Sequence, residues 1–426
     1  MDRPERWLVV SYLANVEGMT ASYHVDDRLR HLQAAGVEVE VITGVCGPRP
    51  AGWGGRWRRV LSPDPSGLRY EIRHVAGRWP RPWGVLAKGL LTAVLLPFYV
   101  LEKCLANLES SYCWWVPAAL VGLRRTRRRR PDVIYSTGGP LASHRAAAAI
   151  ARRRGIPWIA EIRDPLPYNA PLRGWLHRRV VTRLEGLIHA RATGVVYVTR
   201  TACERALART KSRAACTAIC PGGEALEGGG EHDPRRLRLV HAGSLGGSRH
   251  PGVLLEALAR LAGRRPDVRE GLRLTLLGEM DHQTRAKVAS FPYPEMVEAV
   301  EKRPRQAARA LVAGADAALV IQNLAPVSEE TIPSKTYDYL VSGKPVVALL
   351  FRNQELTAML REGGHTVAAA DDAAAIEAAL EEVFTRAASG QLTAAPDPRY
   401  TRARAAEELL AWCRQVCART EEEVYV

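Results

Sequence analysis

The eight cysteines of this chain show no zinc spacing. Cys216 with Cys220 and Cys413 with Cys417 form two Cys-x3-Cys pairs, but no His or second Cys pair stands at ligand spacing. Together with Cys46, Cys104, Cys113 and Cys203 they are expected as free thiols in a reducing compartment. No helix-turn-helix pattern occurs, and no aromatic residues are interleaved with the basic runs, which argues against a nucleic-acid surface. Acidic residues are scarce: 45 Asp and Glu face 60 Lys and Arg, a net charge of +15. The excess arginine clusters at Arg124, Arg125 and Arg127 to Arg130, and again at Arg152 to Arg154. An anionic membrane surface suits such runs, at about 1 kcal/mol per basic residue near the headgroups; a solvated arginine-rich surface is the alternative. No apolar run approaches the ~20 residues of a membrane span.

What is present describes a folded enzyme-sized chain. Its 426 residues suit two domains of roughly 200 each, and 47% apolar with 25% charged residues excludes disorder. Short Val- and Ile-rich runs alternate with helical patterns, as in βαβ units of a parallel sheet. The runs are Leu8–Ser11, Val37–Thr43, Val133–Ser136, Trp158–Glu161 and Val195–Thr199, then Leu237–Ala242, Leu274–Leu277, Ala317–Ile321 and Val346–Leu350. The glycine-rich stretch Pro221–Pro234 between the two groups reads as a linker. A last helix is expected over Thr401–Arg414, with Ala405, Leu409, Leu410 and Trp412 as its packing face. The first residues run straight into the strand at Trp7, so no signal peptide is expected and the cytoplasm is the expected compartment.

One segment breaks the alternation. Within residues 84–101, Gly89–Leu101 holds thirteen residues without a charge, bordered by Trp83 and Tyr99. It is too short to span a bilayer. It is either a buried helix covering the sheet or an interfacial patch with its aromatic residues at headgroup depth. The nearby basic runs and Cys113-Trp114-Trp115 favour the patch.

The stretch Glu329–Leu350 carries the most chemistry. Pro333 and Ser334 suit the first turn of a helix that follows the strand ending near Gln322. Its free N–H groups offer an anion site suited to a pyrophosphate. Glu330 before the helix and Asp338 within it bracket that site, so their oxygens could accept hydroxyls on either side of a diphosphate. Gly343-Lys344-Pro345 then returns the chain to a strand. This stretch resembles the donor-binding motif of glycosyltransferase family 4, in which two acidic residues are separated by seven others. The resemblance implies that Glu330 faces the transferred sugar and that Asp338, standing where Glu is usual, holds the ribose diol with one methylene less reach.

The matches continue along the chain. Leu239–Arg249 followed by the helical Pro251–Leu261 looks like the first strand-loop-helix of the family's donor domain. There Gly243, Gly246 and Gly247 would let the backbone approach the phosphates. No Asp-x-Asp motif is present, so the departing diphosphate needs a side-chain cation. Ser244 replaces the family's basic residue after the glycine, which leaves Arg249, alone or with Lys335, for that task. In the first half, Asp132–His144 and Gly155–Pro165 resemble a subgroup that builds bacterial capsule, exopolysaccharide or O-antigen. Gly138, Gly139 and His144 fall at a strand's carboxyl end, where open α/β sheets place ligands. His144 would reach the donor sugar or its phosphate, and Asp164 would orient an acceptor hydroxyl. The loop Asn15–Thr20 corresponds to a glycine-rich loop of the family but keeps only Gly18.

The resemblance thus implies a GT-B fold: two Rossmann-like domains facing across a cleft, with a C-terminal helix returning to the first. Residues 1–220 with 396–426 would form the acceptor domain and residues 225–395 the nucleotide-sugar domain. The implied activity is retaining transfer, of hexosyltransferase type, from a nucleoside diphosphate sugar to a hydroxyl, with no cofactor and no obligatory metal. The expected acceptor is a lipid-linked glycan at the inner face of the cytoplasmic membrane, where the chain would sit peripherally. Two other functions share the pattern: a nucleotide-sugar 2-epimerase of the same fold, and a non-catalytic nucleotide-sugar-binding partner in a polysaccharide assembly complex.

Overall fold

The computed structural model describes residues 4–109, 111–138, 140–166, 174–228, 233 and 236–424. The chain divides into two compact units, one running to Cys220 and resuming at Ala405, the other spanning Pro221–Arg404.

The first unit holds seven strands: β1 (Arg6–Val10), β2 (Glu38–Gly44), β3 (Arg56–Val60), β4 (Val133–Thr137), β5 (Trp158–Ile162), β6 (Gly194–Tyr197) and β7 (Ala215–Ala218). They pair in the order β3-β2-β1-β4-β5-β6-β7, every pair parallel. Successive side chains alternate between faces, and here both faces are covered. Leu8, Val10, Ile134 and Trp158 pack in one cluster, while Trp7, Val9, Tyr135 and Ile159 pack in another. The second cluster includes Ala405, Leu409, Leu410 and Cys413 of the last helix, and Trp412 lies where any side chain at Gly194 would stand. That helix runs over Arg402–Val424, ten residues beyond its expected end.

The second unit repeats the plan with β8 (Leu237–Ala242), β9 (Leu272–Leu277), β10 (Val297–Val300), β11 (Ala317–Ile321), β12 (Val346–Leu350) and β13 (Thr366–Ala369). Their order is β10-β9-β8-β11-β12-β13, again all parallel. The architecture is therefore the two-domain α/β GT-B fold. All nine expected strands are present. The four that the residue pattern did not announce, β3, β7, β10 and β13, are the outer edges of the two sheets.

The apolar segment corrects an expectation. It is neither buried nor short: a helix spans Trp83–Leu105, long and apolar enough by length and composition to cross a membrane. The uncharged count underestimated it because Lys88, Glu102 and Lys103 lie on the helix's sheltered side and extend it rather than end it.

Candidate functional site

Each sheet reverses its strand order once, between β1 and β4 in the first unit and between β8 and β11 in the second. Ligands of open parallel sheets bind beyond the carboxyl ends of the strands at such a point.

In the second unit the loop after β8 is shaped by glycine. A Cβ at Gly243 would stand 3.1 Å from the Lys335 ammonium and 3.4 Å from the His241 ring, and Gly247 takes a left-handed φ of +55°. The glycine N–H groups are engaged within the unit: Gly243 donates to Leu277 O at 2.8 Å, Gly246 to Arg249 O at 2.7 Å and Gly247 to Asp281 at 2.9 Å. The loop therefore contributes shape, and the charge comes from side chains. Lys335 Nζ donates to Ala242 O at 2.9 Å, with the buried His241 ring 3.4 Å away. Burial, followed by the nearby Arg249 cation, pushes the lysine down to about 7. Burial also lowers the Arg249 guanidinium, whose Nε has no hydrogen-bond partner. Neither cation has a carboxylate within ion-pair distance among the described residues. Two uncancelled, partly desolvated positive charges at a switch point make an anion site.

Glu330 caps the 3-10 turn Pro326–Glu329 and is 1% exposed. Its loop is held by two residues that sequence reasoning did not single out. Gln322 Nε2 donates to Ser328 O and Thr331 O at 3.2 and 2.9 Å, and Asn353 Nδ2 donates to the same two carbonyls at 2.6 and 2.9 Å. The helix after the loop is short, Lys335–Val341, and Ser334 precedes it without a side-chain capping bond. Asp338 sits in a network of its own. It accepts from the Glu224 N–H at 2.8 Å, from Arg309 at 2.8 Å and from Arg402 at 3.4 Å. Burial raises its pKa, opposed by that N–H and by the arginines. Glu224 and Arg402 belong to the two segments by which the chain enters and leaves this unit, and a bridge joins Gly223 to Thr401 beside them. No sequence spacing could announce that clasp, since its parts lie 64 to 114 residues from Asp338.

In the first unit, Gly138, His144 and Asp164 come together in an open pocket that also takes in Glu109, Arg163 and His177. Gly138 has φ +110° directly after β4, and a Cβ there would meet Ser11 Oγ at 3.1 Å. His144 is buried, its Nδ1 2.9 Å from Ser136 Oγ. Burial drives it down to about 4, so it is neutral. Asp164 lies at the rim, its pKa raised by desolvation against the pull of Arg163. Beneath them Glu161 pairs with Arg28 at 3.0 Å and Arg163 at 3.4 Å and accepts from Thr137. Despite burial, the two arginines hold it well below the usual carboxylate range. Gly139 falls outside the described residues. Gly18, with φ +76° and its N–H on Tyr23 Oη at 2.7 Å, is not among the pocket's lining. A further cavity of about 320 Å³ lies at the amino ends of β1 and β2, but Arg6, Arg125 and Arg129 there are spent on Glu38 and Glu40.

Comparison with known proteins bears on the fold and on the first unit. Residues 21–223 match the family described as the glycosyl transferase 4-like domain. Over 174 residues the chain is 33% identical to D-inositol 3-phosphate glycosyltransferase of Pseudarthrobacter chlorophenolicus, a match covering 38% of this chain and 39% of that relative. The chain thus spans about two fifths of the length of the curated relative it matches. Trehalose 6-phosphate synthase from Burkholderia multivorans superposes with TM-score 0.62 at 13% identity, covering 99% of this chain and 98% of that one. The Anabaena protein HepE in complex with UDP superposes with TM-score 0.57 at 11% identity, covering 99% of both. The fold defines a GT-B protein. Within it, residues 21–223 are similar to the glycosyl transferase 4-like domain.

Proposed function

We propose that the chain is a retaining glycosyltransferase that moves a hexosyl group from a nucleoside diphosphate sugar to a hydroxyl acceptor, without an obligatory metal. The observation that carries this reading is the pair Arg249 and Lys335, uncancelled cations at the β8–β11 switch point. As the sugar bond breaks, charge develops on the departing diphosphate, and preorganised cations in a partly desolvated site stabilise it. Gly243, Gly246 and Gly247 bring the backbone close, Ser334 begins the helix beside the phosphates, and Glu330 faces the sugar. Asp338 takes the ribose diol with the acceptor capacity its arginine partners leave. His144, a neutral hydrogen-bonding group, reaches the donor sugar or its phosphate beside Gly138, and Asp164 orients the acceptor hydroxyl. The acceptor is a lipid-linked glycan of cell-surface polysaccharide synthesis, met at the inner face of the membrane. The exposed apolar helix in the acceptor-side unit supports that last step.

A thermal-shift screen against UDP, GDP and ADP tests the donor site. A ligand at a hundredfold excess over its Kd adds about 2.7 kcal/mol. Wild type should respond to one of them, while Asp338→Ala and Lys335→Met should not. Lys335→Met should also melt higher than wild type without ligand, by on the order of 1–3 kcal/mol, because it removes a desolvated charge. No response in wild type to any nucleotide would sink the assignment.

A further inference from the structure

The helix Trp83–Leu105 is polar where it meets protein and apolar where it meets solvent, the reverse of an ordinary surface helix. Its more sheltered positions include Gly84, Lys88, Thr92, Leu95, Tyr99 and Glu102, a stripe at helical spacing. That stripe lies along the helix Pro65–Ala76: the Ser66 N–H donates to Glu102 at 2.9 Å, and the Arg69 guanidinium lies 4.5 Å from the centre of the Tyr99 ring. The outward stripe reads Leu86, Leu90, Val94, Phe98, Leu101 and Leu105, each between 56% and 73% exposed. A continuous apolar surface of this extent marks an interaction site.

The ends of the hairpin identify the occupant. Its tip carries Arg78, Trp79, Arg81 and Trp83, all exposed. Tryptophan settles at the boundary between acyl chains and headgroups, and arginine there is drawn to anionic lipid. A second protein surface would call for a complementary acidic rim, and this chain has a net charge of +15. Both ends of the helix are anchored close to the first unit. Residues 77–82 tie its start to the helix Pro65–Ala76, which is anchored by buried Glu71 on Tyr12 Oη and the Ser62 N–H, both at 3.1 Å. Six residues of sequence separate its end from the turn Tyr112–Trp114, whose Trp114 is buried edge-on to Tyr12 with ring centres 5.3 Å apart. Six residues reach roughly 20 Å, short of the ~30 Å hydrocarbon core.

We propose that this hairpin beds in the plane of one leaflet of an anionic bilayer, with the Leu86-to-Leu105 stripe in the acyl region and the Arg–Trp tip among the headgroups. The proposal gives the mode of membrane contact for the lipid-linked reading above and rests on it. Co-sedimentation with vesicles of equal phosphatidylcholine and phosphatidylglycerol tests it, with the nucleotide thermal shift measured on the same preparations. Wild type should pellet, less so on phosphatidylcholine alone or in high salt. The double variant Leu90→Glu/Phe98→Glu should partition about tenfold more weakly or worse, with its melting temperature and nucleotide response retained, since both side chains are exposed. An impermeant maleimide added outside should label both the Arg81→Cys variant at position 81 and native Cys113 when vesicles are bound. Wild type that ignores both vesicles while keeping its nucleotide response overturns the proposal and leaves the donor site standing. Protection of position 81 alone means a crossing helix and overturns it. A dimer that the double variant dissolves, with no vesicle binding, overturns it in favour of a second copy of the chain.

Discussion

The carboxyl edges of the two sheets share one topology and differ in electrostatics. In the first unit every buried charge beneath the pocket is answered: Glu161 by Arg28 and Arg163, while His144 is kept neutral by burial. In the second, Arg249 stands close enough to Lys335 to depress the lysine, with no carboxylate in ion-pair distance of either among the described residues. One strand order can therefore build a charge-balanced pocket at one sheet edge and a basic one at the other. The choice lies in a few side chains at the strand ends, not in the fold.

Breaking the balance in the first unit has the largest expected effect. Glu161→Ala strands the buried Arg28 guanidinium and removes a partner of Arg163, and should cost about 3–5 kcal/mol, read as a fall in Tm of roughly 10 °C; nucleotide binding by the second unit should survive where the protein remains folded. A Tm within a degree of wild type would show that the pair is not as buried as described. Removing a charge from the unbalanced site should do the opposite. Arg249→Ala should leave stability near wild type but lower kcat/KM by about 10²–10³, equivalent to ~3–4 kcal/mol; an equal loss in KM alone would mean that Arg249 binds donor without stabilising the leaving group. The smallest effect sharpens the comparison through pH. Lys335 titrates near 7 when the site is empty, and a bound diphosphate raises that value. Binding therefore takes up a proton above pH 7, and affinity for a nucleotide sugar should fall with rising pH by up to about tenfold per unit. Without ligand the sign reverses. The unfolded lysine holds its proton up to its ordinary range, so between pH 7 and that range this group's contribution makes the fold more stable as pH rises. A flat pH profile for donor affinity, matched by Lys335→Met, would remove Lys335 from the site.

The fold was legible where burial is two-sided. The nine strands that could be read are interior or next to it, and strands such as Val346–Leu350 are apolar throughout because helices cover both faces. The four edges escaped notice because an edge strand answers to solvent on one flank. In β3, Arg56-Trp57-Arg58-Arg59-Val60, only Trp57 and Val60 are buried. The proposed donor-side residues form a local motif: Glu330, Lys335 and Asp338 lie within nine residues of sequence. Their partners do not. Arg309, Arg402 and Glu224 reach Asp338 from three separate parts of the chain, and nothing in the spacing of Leu239–Arg249 marks the buried His241 that lies beside Lys335.

By itself the sequence determined the class of fold, the order of the units and the local spacing of Glu330, Lys335 and Asp338, because each follows from short-range periodicity or spacing. Only the tertiary structure decided which charges are cancelled, how Asp338 is clasped, and which way the helix Trp83–Leu105 faces. Those properties depend on what lies across a contact rather than along the chain. A leucine reads alike whether it is buried or exposed, and a lysine reads alike whether or not a carboxylate folds back to meet it.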